Sequence, residues 1–276
     1  MTATATIPTL TPYRPVVVGP LVRLGARGDG GYVATTRSVA LTTILVSGGI
    51  GYEWSFEEAF LNRVGPAPVS LVACDASVSA RRFLLRGVRR VLAAPLSPRR
   101  AHERLANARW NFERARAFRR FFYHPGRRFY HRFLGAVTRG RYLSIGELLD
   151  GLPQGTGPHV FVKLDVEGAE YTIVPEIVRR APSVTGLVIE WHDLDQRWSD
   201  FRSCMEALLE HFHVVHLHGN NYRPLIPGTR VPATLEGSFA HKALASGRPL
   251  PSGATYPIDG LDWPCNPERP DHPLTF

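Results

Sequence analysis

Short apolar runs alternate with amphipathic stretches along most of this chain. Thr43–Ser47, Val69–Cys74, Val88–Ala94, Val160–Val166, Val184–Glu190, His213–Leu217 and Thr234–Phe239 each read as a strand. The run Val160, Phe161, Val162, Leu164 and Val166 is nearly continuous, the pattern of a strand covered on both faces of a parallel sheet. Between the runs lie helix signals. Ser55 followed by Glu58 is a capping-box pattern that opens a helix to about Asn62, and Ser144 with Glu147 repeats it. A helix from Ser199 places Phe201, Met205, Leu208 and Phe212 on one face. Strands alternating with helices predict an α/β fold: one domain over residues 1–276, with a mostly parallel, doubly wound sheet of about seven strands.

Two stretches break the alternation. More than sixty residues separate the third and fourth predicted strands, far above the ~2–6 of a simple connection. Leu105, Ala108, Phe112, Ala115 and Phe122 recur there at helical spacing, so residues 97–142 read as a helical insertion between those strands. The tail, residues 247–276, is rich in Pro and Gly and reads as extended chain.

Charge sharpens this picture. The net charge is +9, yet residues 81–141 hold 18 arginines against only Glu103 and Glu113, a local +16. The 44% hydrophobic content is ordinary for a globular chain, and no apolar run approaches the ~20 residues that span a bilayer. Met1–Thr11 carries no secretory signal pattern, and Cys74, Cys204 and Cys265 are odd in number and far apart. That fits reduced thiols and predicts a cytoplasmic protein, with membrane-peripheral contact as an option for the basic segment.

Candidate chemistry gathers at the strand ends. Ser47-Gly48-Gly49-Ile50-Gly51 follows the first strand, where glycines let a nucleotide-like ligand approach backbone amides. Asp75 ends the second strand, 24 residues after Gly51, and a carboxylate there can accept both ribose hydroxyls. Trp54 occupies the third glycine position of a dinucleotide fingerprint, which argues against a nicotinamide oxidoreductase. The strand around Val162 ends in Asp165 and Glu167 before Gly168 and Glu170, and the next ends in Glu190 and His192. In open α/β sheets that end faces the ligand cleft. His218, Asn220 and Asn221 follow the sixth strand as further polar candidates.

Lys163-Leu164-Asp165-Val166-Glu167-Gly168-Ala169-Glu170 resembles the hallmark segment of FkbM-type methyltransferases, S-adenosylmethionine-dependent enzymes of the Rossmann-like class I fold. Asp29-Gly30-Gly31-Tyr32-Val33, Gly49-Ile50-Gly51 with Ser55-Phe56-Glu57, Ile189-Glu190-Trp191-His192 and Leu261-Asp262-Trp263-Pro264 resemble other family segments, leaving 97–142 outside the likeness. The resemblance implies S-adenosylmethionine as cofactor, held by Ser47, Gly48, Gly49, Gly51, Asp75 and Asp165. It implies O-methylation of a sugar, glycan or polyketide-like hydroxyl. One departure stands out: the acid that usually opens the first motif is Ser47 here.

Methylating a hydroxyl requires alignment, exclusion of water and removal of a proton. Asp165, Glu167, Glu190, His192 and Lys163 are the catalytic candidates, with His192 the base best tuned to neutral pH. A divalent cation on Asp165 and Glu190 is the less favoured route, and no resident metal is expected. Asp29, Tyr32, His218, Asn220 and Asn221, with Arg119, Arg120, Arg127 and Arg128 of the basic segment, are assigned to the acceptor, which the arginines suit if it is anionic. Those arginines and the aromatics among them also suit an anionic membrane surface; nucleic acid or RNA methylation is the rival reading and ranks last.

Overall fold

The computed structural model of the chain describes residues 7–63, 69–95 and 98–276. Part of the Met1–Thr11 reading, and residue 97 of the basic segment, lie outside them. In chain order the elements are β1 (Val16–Val17), β2 (Leu21–Leu24), β3 (Tyr32–Thr35), α1 (Thr36–Leu41), β4 (Ile44–Gly48), α2 (Ser55–Arg63) and β5 (Ser70–Cys74). Next come α3 (Ala80–Ala93), α4 (Ala101–Phe122), β6 (Arg127–Tyr130), β7 (Phe133–Gly135), β8 (Tyr142–Ser144), α5 (Ile145–Asp150) and β9 (Val160–Leu164). The chain finishes with α6 (Glu170–Val178), β10 (Val184–Trp191), α7 (Leu194–His211), β11 (Phe212–Gly219), β12 (Leu235–His241) and β13 (Leu250–Pro251).

The central sheet has seven strands in the order β11-β12-β10-β9-β4-β5-β6. Strands β6, β5, β4, β9 and β10 run parallel, while β12 is antiparallel to both β10 and β11. Neighbouring residues on one strand feed opposite cores. Val46, Val72 and Val162 join Ile173, Ile177, Phe201, Met205 and Leu208 from α6 and α7 on one face. Leu45, Leu71 and Phe161 join Val39, Phe56, Phe60, Phe83, Phe118 and Phe122 on the other. Burial on both faces is why these strands read as unbroken apolar runs. The architecture is the expected mostly parallel, doubly wound, Rossmann-like sheet.

Two expectations are corrected. Val88–Ala94 is not a strand but the second half of α3, whose N-cap Ser79 accepts the Arg82 N–H. Ala80, Phe83 and Gly87, at spacings of three and four, form its buried face. The third parallel strand is instead β6, inside the supposed insertion. It is an edge strand with only partial cover, so Arg127-Arg128-Phe129-Tyr130 carries no apolar run. The basic helices are therefore a hairpin of α3 and α4 between the second and third parallel strands, not an insertion between the third and fourth. The Ser55–Glu58 box also fails to form: α2 begins at Ser55, whose N–H donates to Glu53 Oε1 at 2.8 Å. At Ser144 the hydroxyl does accept the Glu147 N–H.

The tail beyond residue 247 is mostly irregular, as expected, but it is firmly attached. β13 pairs with β1, His216 Nε2 meets Asp262 Oδ2 at 3.1 Å, and Asn221 bonds the backbone of Asn266, Arg269 and Pro270.

Candidate active site

Strand β4 lies between β5 and β9, and the chain turns from one half of the sheet to the other there. Ligands of open α/β sheets bind at such a switch point, beyond the carboxyl ends of the strands. A cavity of about 620 Å³ opens there, lined by Gly49, Gly51, Asp75, Ser77, Phe133, Leu134, Tyr142 and the segment Asp165–Ala169. Its volume is that of a small-molecule or cofactor site.

The glycine loop is held from both sides. Gly49 has φ +77°, and a Cβ on it would come within 1.5 Å of the Asp165 carbonyl oxygen, so only glycine fits. Asp75 Oδ2 accepts the N–H groups of Ile50 and Gly51 at 2.9 and 2.8 Å, and its Oδ1 accepts that of Ser77 at 2.5 Å. A carboxylate has about four acceptor sites. Asp75 thus keeps room for one more donor, not for both ribose hydroxyls unless the loop yields one.

Behind the loop is a buried polar cluster that the sequence did not reveal. Ser47 Oγ donates to Glu57 Oε1 at 2.5 Å, and Lys163 Nζ lies 3.5 Å from the same oxygen. Lys163 also donates to the Gly49 carbonyl at 2.8 Å. Burial works against its charge, but Glu57, Asp165 and Glu190 outweigh that and hold its pKa above normal. Lys163 is therefore a fixed cation that positions the loop, not a tunable catalytic group. Helix α2 brings the acid Glu57 against Ser47, but Glu57 is fully buried and paired with Lys163, and it does not line the cavity.

The acids at the ends of β9 and β10 do converge. Asp165 and Glu167 line the cavity; Glu190 and His192 stand against them. His192 Nε2 lies 3.9 Å from Asp165, 3.7 Å from Glu167 and 4.0 Å from Glu190, and Nδ1 lies 3.4 Å from Glu170 without hydrogen-bond alignment. Burial disfavours its charge, but Glu170, Glu190 and Asp165 raise its pKa to about 9. His192 is thus an imidazolium at neutral pH, which corrects the expectation of a free neutral base. Glu190 is also shifted upward, which for a carboxyl favours the neutral form: burial, then Asp165 and Glu236, push its pKa well above the usual carboxylate range. Glu190 and Glu236 are directly opposite across the β10–β12 pair, an arrangement of like charges that needs compensation. His192 sits beside the first acid and His218 beside the second.

The acceptor candidates divide. The Tyr32 hydroxyl stands between Glu190 Oε2 and Asp165 Oδ2, at 3.3 and 3.4 Å, and burial followed by the charges of Asp165 and Glu190 raises its pKa so that it stays a donor. Asn220 Nδ2 donates to Glu190 Oε1 at 2.7 Å. Asp29 stands in the turn before β3; loss of solvent around its carboxyl and the nearby charges of Asp165 and Glu236 raise its pKa. His218 and Asn221 do not face the cavity. His218 is buried between Glu236 and Asp271, at 2.9 Å from each, and Asn221 ties down the tail.

The four arginines are also misplaced by the sequence reading. Arg119 and Arg120 end α4, which leads into the start of β6, and Arg127 pairs with Leu71 near the start of β5. They lie toward the amino end of the sheet, opposite the cavity, and Arg127 donates to the Phe121 carbonyl. Within the basic segment, Arg82 and Arg141, which share the Ala76 carbonyl beside Asp75 and Ser77, approach the cavity. Phe133, Leu134, Tyr142 and Glu170 were also missed. Glu170 is fully buried and joins Gly168 N–H to His192 N–H; its position two residues past Gly168, where a loop acid can turn back, was the available signal.

No protein-family model matches the chain, and no curated protein sequence does. Two solved methyltransferase structures are similar to it. A precorrin-6y C5,15-methyltransferase from Geobacter metallireducens aligns at TM-score 0.34 and 15% identity, over 75% of this chain and 88% of that one. A putative class I S-adenosylmethionine-dependent methyltransferase from Listeria monocytogenes aligns at TM-score 0.35 and 9% identity, over 79% of this chain and 60% of that one. Likenesses this low do not say what this chain acts on. Among the described residues, no helix is long and apolar enough to cross a membrane.

Proposed function

We propose that this chain is an S-adenosylmethionine-dependent methyltransferase that methylates a hydroxyl oxygen of a sugar, glycan or polyketide-like acceptor. The observation carrying this reading is the cavity at the switch point, with the glycine loop and Asp75 on one side and Asp165 and Glu167 on the other. The FkbM-type resemblance of Lys163–Glu170 supports it, because that segment forms one wall. When bound, S-adenosylmethionine supplies an activated methyl group on a sulfonium. The remaining acceptor site of Asp75 suits one ribose hydroxyl, and Phe133, Leu134, Tyr142 and Val166 offer an apolar wall for its base. The carboxylates of Asp165 and Glu167 attract its positive charge.

Asp165 is the carboxylate that both lines the cavity and touches the buried cluster, so it takes the base role. It receives the acceptor's proton while Tyr32 and protonated His192 fix its orientation. Holding the nucleophile in line and keeping water out supply the remaining rate enhancement. A second reading rests on Asp165, Glu190 and His192, whose ligand atoms all lie within 4.8 Å of one another. A divalent cation there would acidify the hydroxyl instead. Transfer of labelled methyl from S-adenosylmethionine to a panel of glycans and polyols tests the proposal. Activity that survives chelator selects the carboxylate version, and activity restored only by magnesium or manganese selects the metal version. NAD binding without S-adenosylmethionine binding overturns both.

A further inference from the structure

The α3–α4 hairpin does something no methyl-transfer site requires: it exposes an ordered apolar stripe. Leu84, Leu85, Val88, Val91 and Leu92 on α3 are 40%, 46%, 46%, 41% and 70% exposed. At about 100° per residue they fall within about 120° of the helix circumference. Beside them runs the buried face of Ala80, Phe83 and Gly87, so α3 has one apolar side docked and a second one bare. The bare side is not a frayed end. Ser79 caps the helix, and Phe83 and Gly87 pack against Trp110, Phe112 and Phe118 of α4.

The base of the hairpin joins the main core through Phe83, Ala115, Phe118 and Phe122, whereas none of the described residues from 84 to 107 belongs to either hydrophobic core. Farther along, Arg104 of α4 donates to the Ala93 carbonyl and ties the two helices together.

Charge identifies the occupant. Helix α3 contains five arginines and no acid. Arg81, Arg89 and Arg90 are exposed, with neither a hydrogen bond nor an ion pair among the described residues. Arg89 borders the stripe, Arg81 stands at its first turn, and the exposed Arg99 and Arg100 follow in the connection to α4. A helix with leucine and valine on one side and unneutralised arginine beside it is suited to the interface of a membrane bearing anionic lipid. A protein partner would need its own acidic rim around an apolar groove; a bilayer supplies both at once.

We propose that α3 lies in the surface of an anionic bilayer, with Leu84, Val88 and Leu92 entering the acyl boundary and Arg81 and Arg89, on or beside the stripe, meeting lipid phosphates. This does not depend on methyl transfer. The base of the hairpin touches the glycine loop, through Arg86 with the Tyr52 hydroxyl and Arg114 with Glu53, so an anchored hairpin holds the cavity close to the membrane.

The test is flotation of the full chain with vesicles of phosphatidylcholine alone or with phosphatidylglycerol, at low and high salt. Binding should need the anionic lipid and weaken with salt. Leu84→Ser/Val88→Ser/Leu92→Ser should cut binding at least about tenfold, and Arg81→Gln/Arg89→Gln by a similar factor. Since these side chains are exposed, melting temperature and S-adenosylmethionine affinity should not change. No binding to anionic vesicles at low salt overturns the proposal. So does undiminished binding by the leucine–valine variant, since that would be charge adsorption alone. A dimer in light scattering that the same variant converts to monomer would assign the stripe to a second copy, and also overturns it.

Discussion

At the scale of single residues, Asp75 and Asp165 have separable tasks. Asp75→Ala removes the acceptor for three backbone N–H groups and the proposed ribose contact. Losing one charge-assisted hydrogen bond costs ~1.5–3 kcal/mol, so calorimetry should show S-adenosylmethionine affinity falling roughly ten- to hundredfold. Asp165→Asn should depress turnover ~10²–10⁴-fold, well beyond the loss of cofactor affinity that removing one attracting charge brings. Equal losses in both quantities would remove Asp165 from the chemistry. His192 adds a pH signature. With its pKa raised to about 9, the imidazolium that orients Asp165 is lost above that value. The alkaline limb of kcat/KM should therefore fall near pH 9, and His192→Gln should abolish that limb. An unchanged alkaline limb in the variant would show that His192 does not govern it.

At the scale of elements, the two halves of the site are joined by the buried Glu57–Lys163 pair, which couples α2 to β9. Lys163→Met leaves Glu57 charged and unpaired, and breaking such a pair costs ~3–5 kcal/mol. Adding Glu57→Gln should recover much of the loss, and a double-mutant cycle by urea unfolding measures the coupling; additive losses would deny the pairing. This pair also shows what the sequence could convey. Lys163 is one of two lysines, with Lys242, in an arginine-rich chain, but its partner lies on a helix over 100 residues earlier, and no local pattern points to it. Strands β4, β5, β9 and β10 were legible because both faces are buried. Strand β6 was not, because an edge strand can be built from arginines, and the second half of α3 imitated a strand because its bare side is apolar too.

At the scale of the whole molecule, the tail is locked to the sheet edge by histidines of β11. Both His218 ring nitrogens meet carboxylates, which requires the imidazolium. Burial lowers its pKa, but the bonds to Asp271 and Glu236 dominate and raise it to about 10. An unfolded histidine titrates near ~6.5, so this stabilisation is complete below that pH and is lost as pH rises toward about 10. Melting temperature should fall between pH 7 and 10, with the fall reduced in His218→Gln; parallel curves for the two proteins would contradict the latch. From the sequence, His218 and Asn221 looked like acceptor ligands because a polar loop after a strand signals equally a cleft or a tether. Only the path of the tail decides between them. The central claim is that the cavity at the switch point holds S-adenosylmethionine. Isothermal titration of the full chain with S-adenosylmethionine, and separately with NAD, tests it most directly. The account predicts saturable S-adenosylmethionine binding that Asp75→Ala weakens at least tenfold, with no NAD heat; NAD binding, or S-adenosylmethionine binding indifferent to Asp75→Ala, would contradict it.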